Sequence, residues 1–570
     1  MSVRHTDERW QRRSLVLLTL FALAVAALAV RAVQLHVLDG GFLTAQGDAR
    51  HLRTVEVPAH RGMILDRHGE SLAASTPVDS FWANPSELLA GERIAALADA
   101  LEIDRTRLDA LLRERGDRTF IWLRRHMSPD EAERVTQLDV PGVHRVREYR
   151  RYYPAGEVAS HLLGFTNIDD AGQEGIELAF DEWLRGEPGR KQVLRDRLGR
   201  TVADVQGIRQ PRPGRDLTLS IDRRVQYLAY RELKAAVTEH GARGGSIVVL
   251  DSRTGEVLAM ANQPAFNPNN RQGLVAERYR NRAATDVLEP GSSFKPFVIA
   301  AALQSGRFDT RSRIDTSPGL LQVRGGTIRD VRDNGVIDIA TLLTRSSNVG
   351  ASRIALDLDP EQVWTMLQAF GFGQPTASGF PGEQAGLLNH FVQWREIGLA
   401  TLSYGYGISV TPLQLAQAYA VIAADGVRHP VTLIRSDEPL AAGERVLSTT
   451  VARDMRRLLE VSLGPDSTAT GARVRGYRVA GKTGTARKST AGGYALDRHT
   501  AAFAGMAPAS NPRLVTVVVI DEPSRGAYYG GQVAAPVFGR VMSGALRLLD
   551  IPPDELPTVP ASVIAAGPQR

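Results

Sequence analysis

Three regimes of hydrophobic spacing divide this chain. Residues 14 to 30, SLVLLTLFALAVAALAV, carry no charge, and after Arg31 the apolar run resumes as AVQLHVL. At about 1.5 Å per residue the charge-free run alone spans about 26 Å, slightly under a bilayer core of roughly 30 Å. Arg31 can extend its head group to the interface, so the pattern predicts one membrane-spanning helix over 14–38. Arg4, Arg9, Arg12 and Arg13 precede it, which predicts a cytoplasmic amino end (1–13) and a remainder on the far side. The alternative is a cleaved signal peptide, since ALA at 27–29 resembles a cleavage site; against it, the apolar core is longer than such peptides usually carry.

From 39 to 215 the pattern is short-ranged and Arg-rich. LRTVEVPAHRGMILD reads as strand, DEAERVTQL and GIELAFDEWLRG read as helix, and QPRPGRD reads as a linker. Longer elements follow. DLTLSIDRRVQYLAYRELKAAV is a strand and then a helix capped by Asp222, and GGSIVVLDSRTGEVLAMAN is a hairpin turning at SRTG. Helical spacing dominates from 291 to 425, strands from YRVAGKTG to LVTVVVIDE, and a helix covers 534–548. The prediction is an α+β chain: an anchor helix, an elongated mixed α/β pedestal at 39–215, and a domain at 216–551. That last domain is an antiparallel sheet flanked by helices, with a helical subdomain inserted. Residues 552–570 read as an extended, flexible tail.

Composition narrows the chemistry. With 43% apolar and 23% charged residues the chain is globular. A net charge of +6 is small for 570 residues, and no basic stripe with interleaved aromatics points to nucleic acid. The absence of cysteine excludes disulfides, thiolate nucleophiles and cysteine-ligated metals. The twelve histidines form no H-E-x-x-H pair, so neither a metal nor another cofactor is expected. Of 69 basic residues only five are lysines: Lys191, Lys234, Lys295, Lys482 and Lys488. A lysine kept in so arginine-biased a chain raises a chemical question, because lysine can give up its proton and arginine cannot.

GYRVAGKTGT, residues 476–485, fits two incompatible patterns. Gly476 to Thr483 matches the phosphate-binding loop G-x-x-x-x-G-K-[ST]; Lys482-Thr483-Gly484 is the K-T-G element of penicillin-binding enzymes. The first requires a helix whose amino end faces the phosphates. ARKSTAGGYALDR follows Thr485 and has no apolar periodicity, so no helix is expected there. The second requires Ser-x-x-Lys and Ser-x-Asn upstream, in that order. Ser292-Ser293-Phe294-Lys295 and Ser346-Ser347-Asn348 supply both.

Each triplet alone is common; the ordered set is specific. Ser292 and Lys295, three apart at the start of an apolar helix, share a face. The hydroxyl can pass its proton to the amine if burial and a second cation, Lys482, keep that amine neutral. The alternative for Ser292 is a simple helix cap. Ser346 and Asn348, in a loop after a helix, suit proton relay and orientation of Lys295; alone they would read as turn residues. Gly484 permits close backbone approach, so a peptide can add as a strand. Lys482, Thr483 and Thr485 would hold its carboxylate, and the N–H groups of Thr485 and Ser292 would form an oxyanion hole.

The likeness extends beyond these motifs. HRGMILDRHGESLA, RYYPAGEVASHLLGFTN, GIELAFDEWLRGEPG, RSSNVGASRIAL, SYGYGISVTPLQLAQAYA, VAGKTGTARK and YYGGQVAAPVFGRV resemble class B penicillin-binding proteins, from about residue 50 to 545. GFTNIDDAGQEGIE and YYGG resemble the septal branch, the cell-division transpeptidases. The resemblance implies a single-pass inner-membrane protein at the division septum. Its pedestal would carry a periplasmic transpeptidase domain that cross-links peptidoglycan stem peptides and is acylated by β-lactams. It also implies work beside the septal glycosyltransferase FtsW and other divisome proteins, and no cofactor. Carried over, Ser292 is the acylated nucleophile, Lys295 its base, Ser346 and Asn348 assist, and Lys482, Thr483, Gly484 and Thr485 bind the donor. Ser347 stands where lactamases have Asp, which favours the transpeptidases. The rival readings are an elongation-specific relative, a D,D-carboxypeptidase or β-lactamase, and a non-enzymatic β-lactam sensor or divisome scaffold.

Overall fold

A computed structural model describes residues 4–39, 41, 52–89, 93–195, 201–273, 275–435, 442–464, 467, 469–490 and 492–555. The chain divides into two compact units, one of residues 1–60 and 186–214, the other of residues 61–185 and 215–570.

The first unit holds the apolar helix, Arg4–Val33, continued by a wider turn over Gln34–Leu38. Residues Trp10–Leu38 are long and apolar enough to cross a membrane, and their most apolar stretch is not buried by the rest of the described chain. Arg31 donates to the Gln34 side chain at 2.7 Å. The same unit contains a three-stranded antiparallel sheet in which Gly189–Arg195 lies between Leu52–Val57 and Thr201–Arg209.

In the second unit, residues 61–185 build on one long strand, Ser71–Ala83. It pairs with Val143–Tyr152 on one side and, from Asp79 onward, with Ile121–Met127 on the other. Pro77 sits in this strand without conflict, because the Ile121–Met127 pairing begins two residues later and leaves one side of the ladder free there. The helices Arg105–Glu114 and Pro129–Gln137 close a small core with Phe81, Leu97, Leu108, Leu112 and Met127.

The remainder of the unit carries the predicted antiparallel sheet. We label its strands β1 (Gly244–Asp251), β2 (Val257–Gln263), β3 (Ala480–Thr490), β4 (Gly493–Ala507) and β5 (Leu514–Asp521). Their order is β2-β1-β5-β4-β3, with every neighbouring pair antiparallel, so β3 is an edge strand. Both faces are covered, which is why β1 and β5 read as continuous apolar runs. Ile247, Val249, Val518 and Ile520 face α1 (Arg223–Glu239, capped by Asp222) and the last helix, Ala535–Leu548. Val248, Leu250, Val517 and Val519 face the inserted helices.

Those inserted helices that position chemistry are α2 (Lys295–Gln304), α3 (Ile339–Arg345) and α4 (Asn348–Asp357). The 291–425 segment is not wholly helical as its spacing suggested. Two small hairpin-like pairings interrupt it, Arg313–Asp315 with Val336–Asp338 and Leu320–Val323 with Gly326–Arg329. These strands are only three or four residues long, too short for a period-2 pattern to stand out. The flexible tail expected over 552–570 lies, from residue 556, outside the described residues.

Candidate active site

The site forms where the start of α2 meets edge strand β3. Pro290 and Gly291 lead into a 3-10 turn, Gly291–Phe294, that passes into α2 at Lys295. From Lys295 to Leu303 every residue of α2 is buried, with Phe294, Phe297, Phe370, Phe372 and Tyr419 packed ring against ring. The Tyr419 hydroxyl donates to the Ser293 carbonyl at 2.8 Å, and the Ser293 hydroxyl donates to the Pro290 carbonyl at 2.7 Å. A rigid aromatic core therefore fixes the turn that presents Ser292.

Ser292 Oγ lies 2.9 Å from Lys295 Nζ. The remaining neighbours come from the junction of α3 and α4. Ser346 ends α3 in the left-handed conformation, at a φ of 55°, which non-glycine residues rarely adopt. Ser347 then caps α4, its hydroxyl accepting from the Gly350 N–H at 2.9 Å. This tight corner places the Ser346 carbonyl 2.6 Å, Ser346 Oγ 3.1 Å and Asn348 Oδ1 2.8 Å from Lys295 Nζ.

Four oxygens thus surround one amine. In its neutral form the amine can donate to the Ser346 carbonyl and Asn348 Oδ1 and turn its lone pair to the Ser292 hydroxyl. Burial, first of all, drives the Lys295 pKa well below the ordinary amine value; the charge of Lys482 adds to this and Asp330 opposes it. Lys295 is 0% exposed.

Lys482, Thr483, Gly484 and Thr485 lie in register on β3, opposite Ala504, Phe503, Ala502 and Ala501 of β4. Lys482 is 4% exposed, and burial lowers its pKa to about 8. Its amine reaches the Thr483 hydroxyl and carbonyl at 3.3 and 3.4 Å. The Thr485 hydroxyl accepts from the Gly530 N–H at 2.9 Å, which ties the YYGG stretch to the strand. A Cβ on Gly484 would lie 2.6 Å from the Pro290 carbonyl. The requirement for glycine at 484 is therefore also internal, because it lets β3 lie against the Ser292 turn.

Every motif residue expected from the sequence is brought to this place. Sequence reasoning missed Asp330, which binds the Ser347–Val349 corner from the loop after Gly326–Arg329. Within IRDVRDNG it carries no signal beyond that of a turn. It also missed the tyrosines flanking the edge strand. Tyr404, Tyr406 and Tyr494 stack edge to face at 5.7 and 5.2 Å, and the Tyr406 hydroxyl accepts from the Arg487 N–H at 3.2 Å. SYGYG was a visible signal for two of them.

The phosphate-loop pattern has no site. Thr483 sits inside β3, which runs on to Thr490 and turns into β4, so the helix that must follow a phosphate-binding loop does not follow this segment. Magnesium-dependent ATP binding by the purified protein, measured by calorimetry, is expected to be undetectable. Measurable binding would restore the rejected reading.

A serine hydroxyl against one buried lysine, beside an edge strand that carries a second, is an arrangement suited to serine acyl transfer. Residues 245–543 match the penicillin binding protein transpeptidase domain and residues 56–219 the penicillin-binding protein dimerisation domain. The chain belongs to the penicillin-binding protein transpeptidase family. Over 542 residues it is 44% identical to the peptidoglycan D,D-transpeptidase FtsI of Escherichia coli, covering 94% of this chain and 92% of the relative. To the probable peptidoglycan D,D-transpeptidase PbpC of Pseudomonas aeruginosa it is 43% identical, covering 98% of each. The apo transpeptidase domain of Burkholderia pseudomallei penicillin-binding protein 3 superposes with a TM-score of 0.55 at 43% identity, covering 60% of this chain and 98% of that domain.

Proposed function

We propose that this chain is a membrane-anchored peptidoglycan D,D-transpeptidase of the division septum, working through an acyl-enzyme on Ser292. The observation that carries the reading is the 2.9 Å contact between Ser292 Oγ and a buried, proton-poor Lys295. Edge strand β3, which pairs only with β4 in its sheet, accepts the donor stem peptide as an added strand, its terminal carboxylate held by Lys482, Thr483 and Thr485.

Ser292 Oγ attacks the carbonyl carbon of the D-Ala-D-Ala amide as its proton passes to Lys295 Nζ. The N–H groups of Ser292 and Thr485 stabilise the oxyanion. The C–N bond then breaks, and the leaving D-Ala amine takes a proton from Lys295 through Ser346 Oγ. An acceptor amine on a neighbouring strand attacks the Ser292 ester, gives its proton back along the same path, and restores the serine. Asn348 orients Lys295 and the incoming peptide. β-Lactams acylate Ser292 because their ring amide enters as the donor does.

The helix at Trp10–Leu38 is the anchor, with the arginines before it on the cytoplasmic side and the rest periplasmic. The working division is a pedestal at 39–215 and a transpeptidase domain at 216–551, with the septal glycosyltransferase FtsW and other divisome proteins as partners. Support for the septal reading is the 44% identity to an FtsI. Depletion in living cells tests it: blocked septation and filaments are expected, and rounded, swollen cells would point to the elongation relative. A reporter fused after residue 40 is expected to be active outside the cytoplasm on a chain that retains its amino end.

A further inference from the structure

Asp330 lies outside the three motifs, directly after the strand Gly326–Arg329. One carboxylate oxygen accepts from the N–H groups of Asn348 and Val349 at 2.6 and 3.0 Å. The other accepts from the Ser347 hydroxyl at 2.5 Å and the Asn334 amide at 3.0 Å. The residue before it contributes as well, since the Arg329 carbonyl accepts from Asn348 Nδ2 at 3.2 Å. That bond fixes which end of the Asn348 amide faces Lys295: the nitrogen is held by Arg329 and the oxygen is left 2.8 Å from Nζ. A carboxylate on the first N–H groups of α4 is also favoured by the helix dipole.

We propose that Asp330 is a positioning residue for acylation, clamping the Ser346–Asn348 corner so that Ser346 and Asn348 meet the Lys295 amine. The proposal rests on Lys295 serving as the base for Ser292. It has two parts that separate experimentally, because Asp330 supplies both acceptor atoms and a negative charge.

Two charges act on Lys295 from the elements around it. Lys482 on β3 disfavours its protonated form, and Asp330 favours it. The Tyr404 ring lies 6.0 Å from the amine, and Ser292, Ser346 and Asn348 are neutral. Removing the Asp330 charge leaves Lys482 unopposed, so Lys295 holds its proton less tightly. Acylation needs the unprotonated amine, and the acid limb of its pH profile must then move to lower pH. A purely structural role for Asp330 would not move that limb.

The test uses the full chain in detergent and the rate of acylation by fluorescent penicillin across pH. Asp330→Asn keeps an oxygen for the two backbone N–H groups and loses the charge; its acid limb is expected at lower pH than that of the wild type. Asp330→Ala loses both functions and is expected to acylate at least about 10-fold more slowly at neutral pH, as misplaced catalytic groups do. Asp330→Asn keeps the test decisive should Asp330→Ala misfold. A Ser292→Ala control that fails to label secures the parent reading independently. If that control behaves so, and Asp330→Asn matches the wild type in rate and acid limb, the proposal is overturned and the Ser292–Lys295 assignment stands. A wild-type protein that never labels removes both.

Discussion

Lys295→Arg is expected to lose acylation by about 10² to 10⁴-fold at neutral pH, the usual worth of a positioned base, whereas Lys482→Arg keeps a measurable fraction. Arginine retains charge but cannot release its proton near neutral pH. At 295 it also brings a larger head into a site with no exposed surface, against oxygens of Ser292, Ser346 and Asn348 all within 3.1 Å. At 482 the need is for a positive charge beside the Thr483 hydroxyl, which a guanidinium still supplies. Acidity separates the two further. Burial lowers Lys482 to about 8, so its charge is present below that pH and lost as pH rises through it. Wild-type capture of a donor carboxylate should therefore weaken above about pH 8, and Lys482→Arg should lack that alkaline limb. Steady-state acylation across pH by each folded variant measures both effects. Equal losses in the two variants would show that the lysines do not divide the work in this way.

Ser292→Ala should abolish covalent penicillin labelling, while Ser293→Ala should retain it. The neighbouring serines differ in what they touch. Ser292 Oγ faces the Lys295 amine; Ser293 is fully buried and spends its proton on the Pro290 carbonyl. Loss of that bond costs stability, about 1 kcal/mol for a neutral hydrogen bond, and leaves the nucleophile in place. Gel fluorescence with peptide mass spectrometry locates the adduct. Full labelling of Ser292→Ala would move the nucleophile elsewhere.

Much of the candidate site's layout was legible because its signals are local or ordered. Ser292 and Lys295 sit one turn apart, GGSIVVLDSRTGEVLAMAN announces its own hairpin, and the absence of apolar periodicity after Thr485 excluded a helix where β3 and β4 in fact pair. What stayed hidden depends on distant partners. Asp330 matters through backbone N–H groups 18 and 19 residues away, and no spacing rule exposes that. The long strand Ser71–Ala83 holds a proline, and its partner Val143–Tyr152 is charged and largely solvated, so neither shows a clean alternation. Gly484 was read as room for a peptide, while the carbonyl of Pro290, nearly 200 residues earlier in the chain, already demands it.

Transfer of an acyl group from Ser292 to an amine is directly measurable. The purified full-length protein is given a thioester analogue of an acyl-D-Ala-D-Ala donor together with a D-amino acid as acceptor, and products are resolved by mass spectrometry. Turnover to the amide of the acceptor, dependent on Ser292, is the predicted result. Hydrolysis alone at every acceptor concentration, or penicillin acylation without any turnover of the donor, would contradict it.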